Sequence, residues 1–431
     1  MRRLPDGLIW LTGGCEAARN HDVNHVFRQS SDFLYLTGVE EPGCHLLLDP
    51  KRRRSTLFIP RIDNHHRVWE GYVPDAKESR KLFGFTHVDY ADTLDTHLRK
   101  AKSGYRVLYG PKDGPKARKL AGIKAKPDAL RDALDELRVV KQAGELELMQ
   151  QASRISGEAH HAVMRATRPG LREYELQAIF ESECVKAGLR HLAYPSIVAA
   201  GRNAAVLHYR KNDALLQEGD LLLIDAGAEL KGYAADITRT YPVGGRFTQR
   251  QKDVYSIVLA TQKAAIAAAR PGVVSGDLQI LSMTKIAEGL KALGLLRGET
   301  SGLVEGGAVK LFYPHGLTHT LGLDVHDVTG GKKRQLPNTG KITIRFMARL
   351  EPGFVITMEP GLYFIEALLR DPELRRKHRG SVDFAKAESF LDFGGVRIED
   401  DIVISASGPA RNLTNVPKEI ADIEELRRAG S

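Results

Sequence analysis

Two hydrophobic rhythms divide the chain. In the first third, apolar runs of strand length at residues 7–11, 45–49, 55–60 and 105–109 alternate with stretches at 76–83 and 91–101 whose apolar positions recur at helical spacing. Strands alternating with helices predict a layered α/β domain. Around Pro127 the texture changes. Residues 129–166 are rich in Ala, Leu, Glu, Arg and Gln at helical spacing, and Arg168-Pro169-Gly170 closes them with stop chemistry. Ala143-Gly144 is expected to interrupt that stretch, which predicts an N-terminal domain over 1–142 and a C-terminal domain over 143–431. Further helices are expected at 172–188, 248–270 (stopped by Pro271-Gly272) and 276–293, with strands at 196–199, 221–226, 237–242, 355–358 and 396–405. Long helices grouped with antiparallel strands predict an α+β second domain.

Composition changes this picture little. With 42% hydrophobic and 27% charged residues, the 431-residue chain is not collagen-like, coiled-coil or globally disordered. The net charge is +9, and a basic balance attracts nucleic acid and membrane surfaces. The surplus is scattered, however, apart from Lys51-Arg52-Arg53-Arg54 and residues 370–379, both read as solvated loops. No RNP-like, zinc-knuckle or helix-turn-helix signature accompanies it, so neither a nucleic-acid nor a membrane partner is expected. Cys15, Cys44 and Cys184 lack CxxC spacing, which speaks against a disulfide scaffold or a Cys-rich zinc site. The first residues lack the apolar core of a signal peptide, and no run approaches the ~20 residues of a membrane helix; a cytoplasmic protein is expected.

The chemistry lies in four segments. Leu221-Leu222-Leu223-Ile224 runs straight into Asp225, and Asp236 follows after Lys231-Gly232. A two-residue turn at Lys231-Gly232 would place Asp236 opposite Gly227 and on one face with Asp225, whereas a three-residue loop would put the two carboxylates on opposite faces. Three of the chain's 15 histidines, His315, His319 and His326, cluster among glycines, a pattern of metal or proton chemistry. Val355-Ile356-Thr357-Met358 ends in Glu359 before Pro360-Gly361, and Glu399 sits among apolar residues of the last strand. Buried carboxylates need partners or a metal. Four of them with one histidine would balance two divalent cations, and oxygen-rich ligation with one imidazole favours Mn²⁺, with Co²⁺ and Zn²⁺ as competitors. Two such ions can hold a bridging hydroxide and polarise a carbonyl. No HExxH, GxSxG or GxxxxGK[ST] signature competes.

These segments, in this order, resemble the dinuclear metallopeptidases of the pita-bread fold, prolidase (Xaa-Pro dipeptidase) first and aminopeptidase P next. The likeness spans nearly the whole chain, from Asn20-His21-Asp22 and Phe27 to Phe33 through Asn203 to Tyr209. It implies an N-terminal domain of the creatinase/prolidase type, a pita-bread catalytic domain and a homodimer. It also implies that Asp236 and Glu399 bridge two metals, that Asp225 completes one site, and that His319 and Glu359 complete the other. By the same resemblance Glu359 moves protons, His208 and His326 face the substrate, and His315, Thr238 and Arg397 support the ligands, with Arg397 beside the substrate.

Xaa-Pro dipeptides are the implied substrate, because Arg345 matches the carboxylate-binding arginine of prolidases in its spacing before Glu359; the competing reading is a solvated arginine. Aminopeptidase P activity on longer Xaa-Pro peptides is the alternative. A non-catalytic pita-bread binding module and a creatinase-like amidinohydrolase are remoter, since the ligand set is intact. Thr318 and Thr320 depart from the usual motif and are expected to reshape the pocket beside the metals.

Overall fold

The structure, a computed structural model, describes residues 1–102, 104–110, 124–338 and 344–428. Its contacts divide the chain into two compact units, Met1–Arg138 with Gly330–Lys332, and Val139–Thr329 with Lys333–Ser431.

The first unit is built on a six-stranded sheet in the order His87–Tyr90, Arg54–Ile59, His45–Asp49, Leu8–Thr12, Val107–Tyr109, Lys124–Ala125. The central Leu8–Thr12 strand is apolar on both faces, as a strand covered on both sides must be. Ile9 and Leu11 pack with Phe33 and Leu46, whereas Leu8 and Trp10 pack with Leu94 and Leu98 of a helix on the opposite face. Ala76–Phe83 forms the expected helix, started by an Asp75/Glu78 capping box and ended by Gly84 at φ 70°.

The second unit wraps four helices, Ala143–Ala166, Glu173–Lys186, Gln249–Ala268 and Ser275–Ala292, against short antiparallel sheets. Leu221–Asp225 pairs with Ile197–Ala200 on one side and Thr238–Pro242 on the other. Leu222 and Ile224 enter a core with Val163, Phe180, Tyr255 and Ile286, while Leu223 packs oppositely with Ile197 and Ala199. The turn at Lys231-Gly232 has two residues, both at positive φ (50° and 85°), the backbone a primed hairpin turn requires. Its register persists: Glu229 pairs with Ala234, Ala235 N–H donates to Ala228, and Asp225 pairs with Thr238. Asp236 therefore lies opposite Gly227. A Cβ on Gly227 would sit 1.8 Å from the Ala235 carbonyl oxygen, so only glycine permits this approach.

Three expectations are corrected. Residues 396–405 are not one strand. Gly395–Arg397 pairs with Gly361–Tyr363 and Asp400–Val403 with Val355–Met358, in one register broken between them. Pro360 has no N–H to continue the ladder, and Glu359 and Glu399 stand opposite each other at that break. Ala143-Gly144 does not interrupt a helix; the break is at 139–142, and Gln142 caps a new helix in which Glu145 closes the capping box. The basic residues 370–379 are not all loop, because Asp371 caps a short helix, Pro372–His378.

Candidate metal centre and active site

Both ladders deliver their carboxylates to one cavity of about 740 Å³. Asp225, Asp236, Glu359 and Glu399 line it with His208, His315, His319, His326, Arg345 and Arg397. Of the residues given ligand, substrate or supporting roles in the sequence, Thr238 alone is absent from its wall. It is fully buried behind, donating its hydroxyl to Glu399 Oε2 at 2.7 Å, and its backbone carbonyl accepts the Glu399 N–H at 3.0 Å, which ties one ladder to the other.

His319 donates Nδ1–H to the Thr320 carbonyl (3.1 Å), which turns Nε2 toward the carboxylates. Nε2 lies 3.4 Å from Asp236, 3.5 Å from Glu359 and 4.0 Å from Glu399. Asp236, His319 and Glu399 present ligand atoms all within 4.8 Å of one another. Burial and mutual repulsion dominate the electrostatics. Glu359 is pushed up to about 8 by burial, with the His319 charge opposing and Asp236 reinforcing. Asp236 and Glu399 are likewise raised, chiefly by burial and then, for Glu399, by Asp236 and Glu359. Burial works against charge on His319, yet Asp236 and Glu359 outweigh it and hold it up at about 9. Four carboxylates, three buried and Glu359 partly so, facing one imidazole and Arg397 are short of positive charge, and oxygen donors with a single imidazole suit two hard to borderline divalent cations. The residues present fit the implied metals.

Arg397 is the hub of the support. It donates to Asp225 Oδ2 at 2.6 Å, to the Tyr363 hydroxyl at 3.0 Å and to Thr238 Oγ1 at 3.2 Å. The Tyr363 hydroxyl donates in turn to His315 Nε2 (2.8 Å), while His315 Nδ1–H donates to the Gly316 carbonyl (2.9 Å). Burial, then the Arg397 charge, lowers His315 to about 3, so its imidazole is neutral. His326 stacks edge-on to His319 with centroids 4.3 Å apart, and burial followed by the charges of His319 and Arg345 lowers it to about 4.

Sequence reasoning missed three supports. The Tyr194 hydroxyl lies 2.6 Å from both Asp225 Oδ1 and Asp236 Oδ1, joining two carboxylates from different strands. No spacing in the sequence connects a tyrosine at the foot of one strand to aspartates on another hairpin. Asp401 accepts the Asp236 N–H at 3.0 Å. Glu173, fully buried, accepts from Ala200 N, Asn203 Nδ2, Tyr209 Oη and Ala214 N at 2.7–3.0 Å and so organises the loop that carries His208. Of the two motif departures, Thr318 lines the cavity, its buried hydroxyl without a hydrogen-bond partner among the described residues. Thr320 does not line it; its hydroxyl donates to the Asp327 carbonyl (2.7 Å) and fixes the segment after His326, where Asp327 also pairs with buried Lys141 at 2.7 Å.

The description of metallopeptidase family M24 matches residues 147–406, and that of the N-terminal domain of aminopeptidase P matches residues 1–109. The chain belongs to metallopeptidase family M24. It is similar to a probable Xaa-Pro aminopeptidase of Sordaria macrospora (37% identical, covering 97% of this chain and 91% of that one). It is equally similar to the human Xaa-Pro dipeptidase (37% identical, covering 97% and 88%). Among solved structures, Pseudomonas aeruginosa aminopeptidase PepP superimposes with a TM-score of 0.87 at 36% identity, covering 99% of this chain and 95% of that one. This M24 member is therefore a metal-dependent hydrolase with an aminopeptidase P-type N-terminal domain and a pita-bread catalytic domain. None of its described helices is long and apolar enough to cross a membrane.

Proposed function

We propose that this M24 hydrolase is an Xaa-Pro dipeptidase that uses two Mn²⁺ ions held by Asp225, Asp236, His319, Glu359 and Glu399, and that it acts as a cytoplasmic homodimer. The observation that carries the reading is the convergence of these five side chains in one cavity whose wall also presents Arg345. Two bound divalent cations would supply a polarised carbonyl and a water acidified to a nucleophile at neutral pH. The chain's own residues do the rest. Arg345 offers a planar fork to the proline carboxylate, placing the imide bond over the carboxylate cluster. His208 and His326, both on the cavity wall, position the substrate carbonyl and carboxylate. Tyr194, Thr238 and Arg397 hold Asp225, Asp236 and Glu399 in place through the hydrogen bonds given above.

Glu359 moves the proton. Burial raises its proton affinity, so in its ionised form it is a base strong enough to accept a proton as water adds to the carbonyl carbon. It then delivers that proton to the ring nitrogen as the C–N bond breaks. An imide nitrogen carries no hydrogen and leaves poorly unless protonated, which makes this delivery decisive.

The aminopeptidase P reading is favoured by one feature, a cavity volume with room beyond a single dipeptide. Initial rates for Gly-Pro, Ala-Pro and Leu-Pro against Xaa-Pro-Xaa tripeptides, in Mn²⁺, separate the two. Dipeptide turnover should dominate; efficient tripeptide cleavage with little dipeptide turnover would replace dipeptidase by aminopeptidase.

A further inference from the structure

Outside the carboxylate cluster the cavity wall carries no acid. Its described lining holds three exposed cations, Arg210, Lys310 and Arg345, and no Asp or Glu beyond the four at the centre. Some surface cations elsewhere meet carboxylates: Arg61 meets Asp92, Arg250 meets Asp392 and Arg375 meets Glu388. Among the described residues, Arg210, Lys310 and Arg345 meet none. With four carboxylates balanced by two divalent cations, the rim keeps a formal charge of about +3, concentrated in a concave site where fields are focused.

A dipeptide with a neutral first residue brings one carboxylate, which the proposed function assigns to Arg345. Arg210 stands two residues from His208, on the loop that Glu173 organises, and Lys310 lies in the short Ala308–Leu311 helical turn that leads toward His315. These two cations are left without a counter-charge in a cavity with room for one. We propose that Arg210 and Lys310 form a second carboxylate-binding position, so that peptides able to place a carboxylate there are the preferred substrates. The carboxylate it takes has two sources, an acidic side chain ahead of the proline in a dipeptide, or the terminal carboxylate of a chain one residue longer, in which the proline carboxylate has become an amide. The inference rests on the peptidase reading and adds a substrate class to it.

The test compares isosteric pairs on the Mn²⁺-loaded enzyme. In one arm, kcat/KM is measured for Glu-Pro against Gln-Pro; in the other, for Ala-Pro-Gly against Ala-Pro-Gly-amide. Two partly exposed charge pairs predict about a tenfold preference for the anionic member of one pair, shrinking at high salt. A preference in the first arm identifies the side chain as the source, and in the second the chain terminus. In the double variant Arg210→Ala/Lys310→Ala that ratio should collapse toward one. Ratios near one in both wild-type arms, or a ratio that survives in the double variant, overturn the proposal. Calorimetric titration with glutarate and with its monoamide reads the same position without turnover: tighter glutarate binding, weakened in the double variant, supports it, and equal affinities refute it. Absent turnover of every Xaa-Pro peptide would instead refute the peptidase reading, which keeps the two failures distinct.

Discussion

Glu173 offers the sharpest structural perturbation, because one buried carboxylate orders an entire loop without touching any proposed metal ligand. Its Oε1 accepts from Ala200 N (2.7 Å) and Asn203 Nδ2 (3.0 Å), and its Oε2 from Tyr209 Oη (2.8 Å) and Ala214 N (2.9 Å). In Glu173→Gln, the amide oxygen can keep one pair of donors, but the NH₂ group faces the other pair. The Tyr209 hydroxyl can rotate to accept; the backbone N–H cannot. One buried N–H without an acceptor costs about 1–3 kcal/mol, and the loss of charge assistance on the retained bonds adds about 1 kcal/mol. We expect a destabilisation of about 3 kcal/mol, seen as a Tm lowered by roughly 3–5 °C. The loosened loop carries His208, so KM for Ala-Pro should rise several-fold while Mn²⁺ content stays at the wild-type level. A variant with wild-type Tm and unchanged KM would refute the claim that Glu173 organises the substrate wall.

Three further perturbations probe the centre. Tyr194→Phe removes the hydroxyl shared by Asp225 and Asp236, and Mn²⁺ affinity measured by chelator competition should fall about 10- to 100-fold; unchanged affinity would deny Tyr194 its role. Lys141→Met takes the buried ammonium from Asp327 and should cost about 3–5 kcal/mol in urea unfolding, whereas a neutral effect would show that the pair contributes nothing. Metal uptake should be proton-coupled. Asp236, Glu359, Glu399 and His319 have raised proton affinities, so cations must displace protons, and apparent affinity rises with pH through about 8 to 9, where Glu359 and then His319 give up theirs. Calorimetry in two buffers of different ionisation enthalpy reads the released protons, and identical heats would contradict the coupling.

What was legible in the sequence follows from local geometry. The apolar run ending at Asp225 and the glycine after Lys231 offered two registers, and the structure has the two-residue turn, which puts Asp225 and Asp236 on one hairpin face. The Glu359-Pro360-Gly361 sequence marked the end of a strand, but not that Glu399 would stand opposite Glu359, since the partner strand lies far along the chain. Treating 396–405 as continuous missed the break that proline imposes on the neighbouring strand. Tyr194 and Glu173 escaped for the same reason: their contacts lie 27 to 42 residues away in sequence and carry no periodic signal. Thr320 looked like pocket chemistry from its position beside His319, yet the backbone turns it toward Asp327.

The central claim is that two cations on these five ligands enable release of proline from a dipeptide. It is tested most directly by stripping the protein with a chelator, returning Mn²⁺ stepwise and measuring free proline from Leu-Pro at each step. The account predicts negligible activity in the stripped protein and a rise that levels off at about two equivalents per chain. Full activity after stripping, or no proline released at any loading, would contradict it.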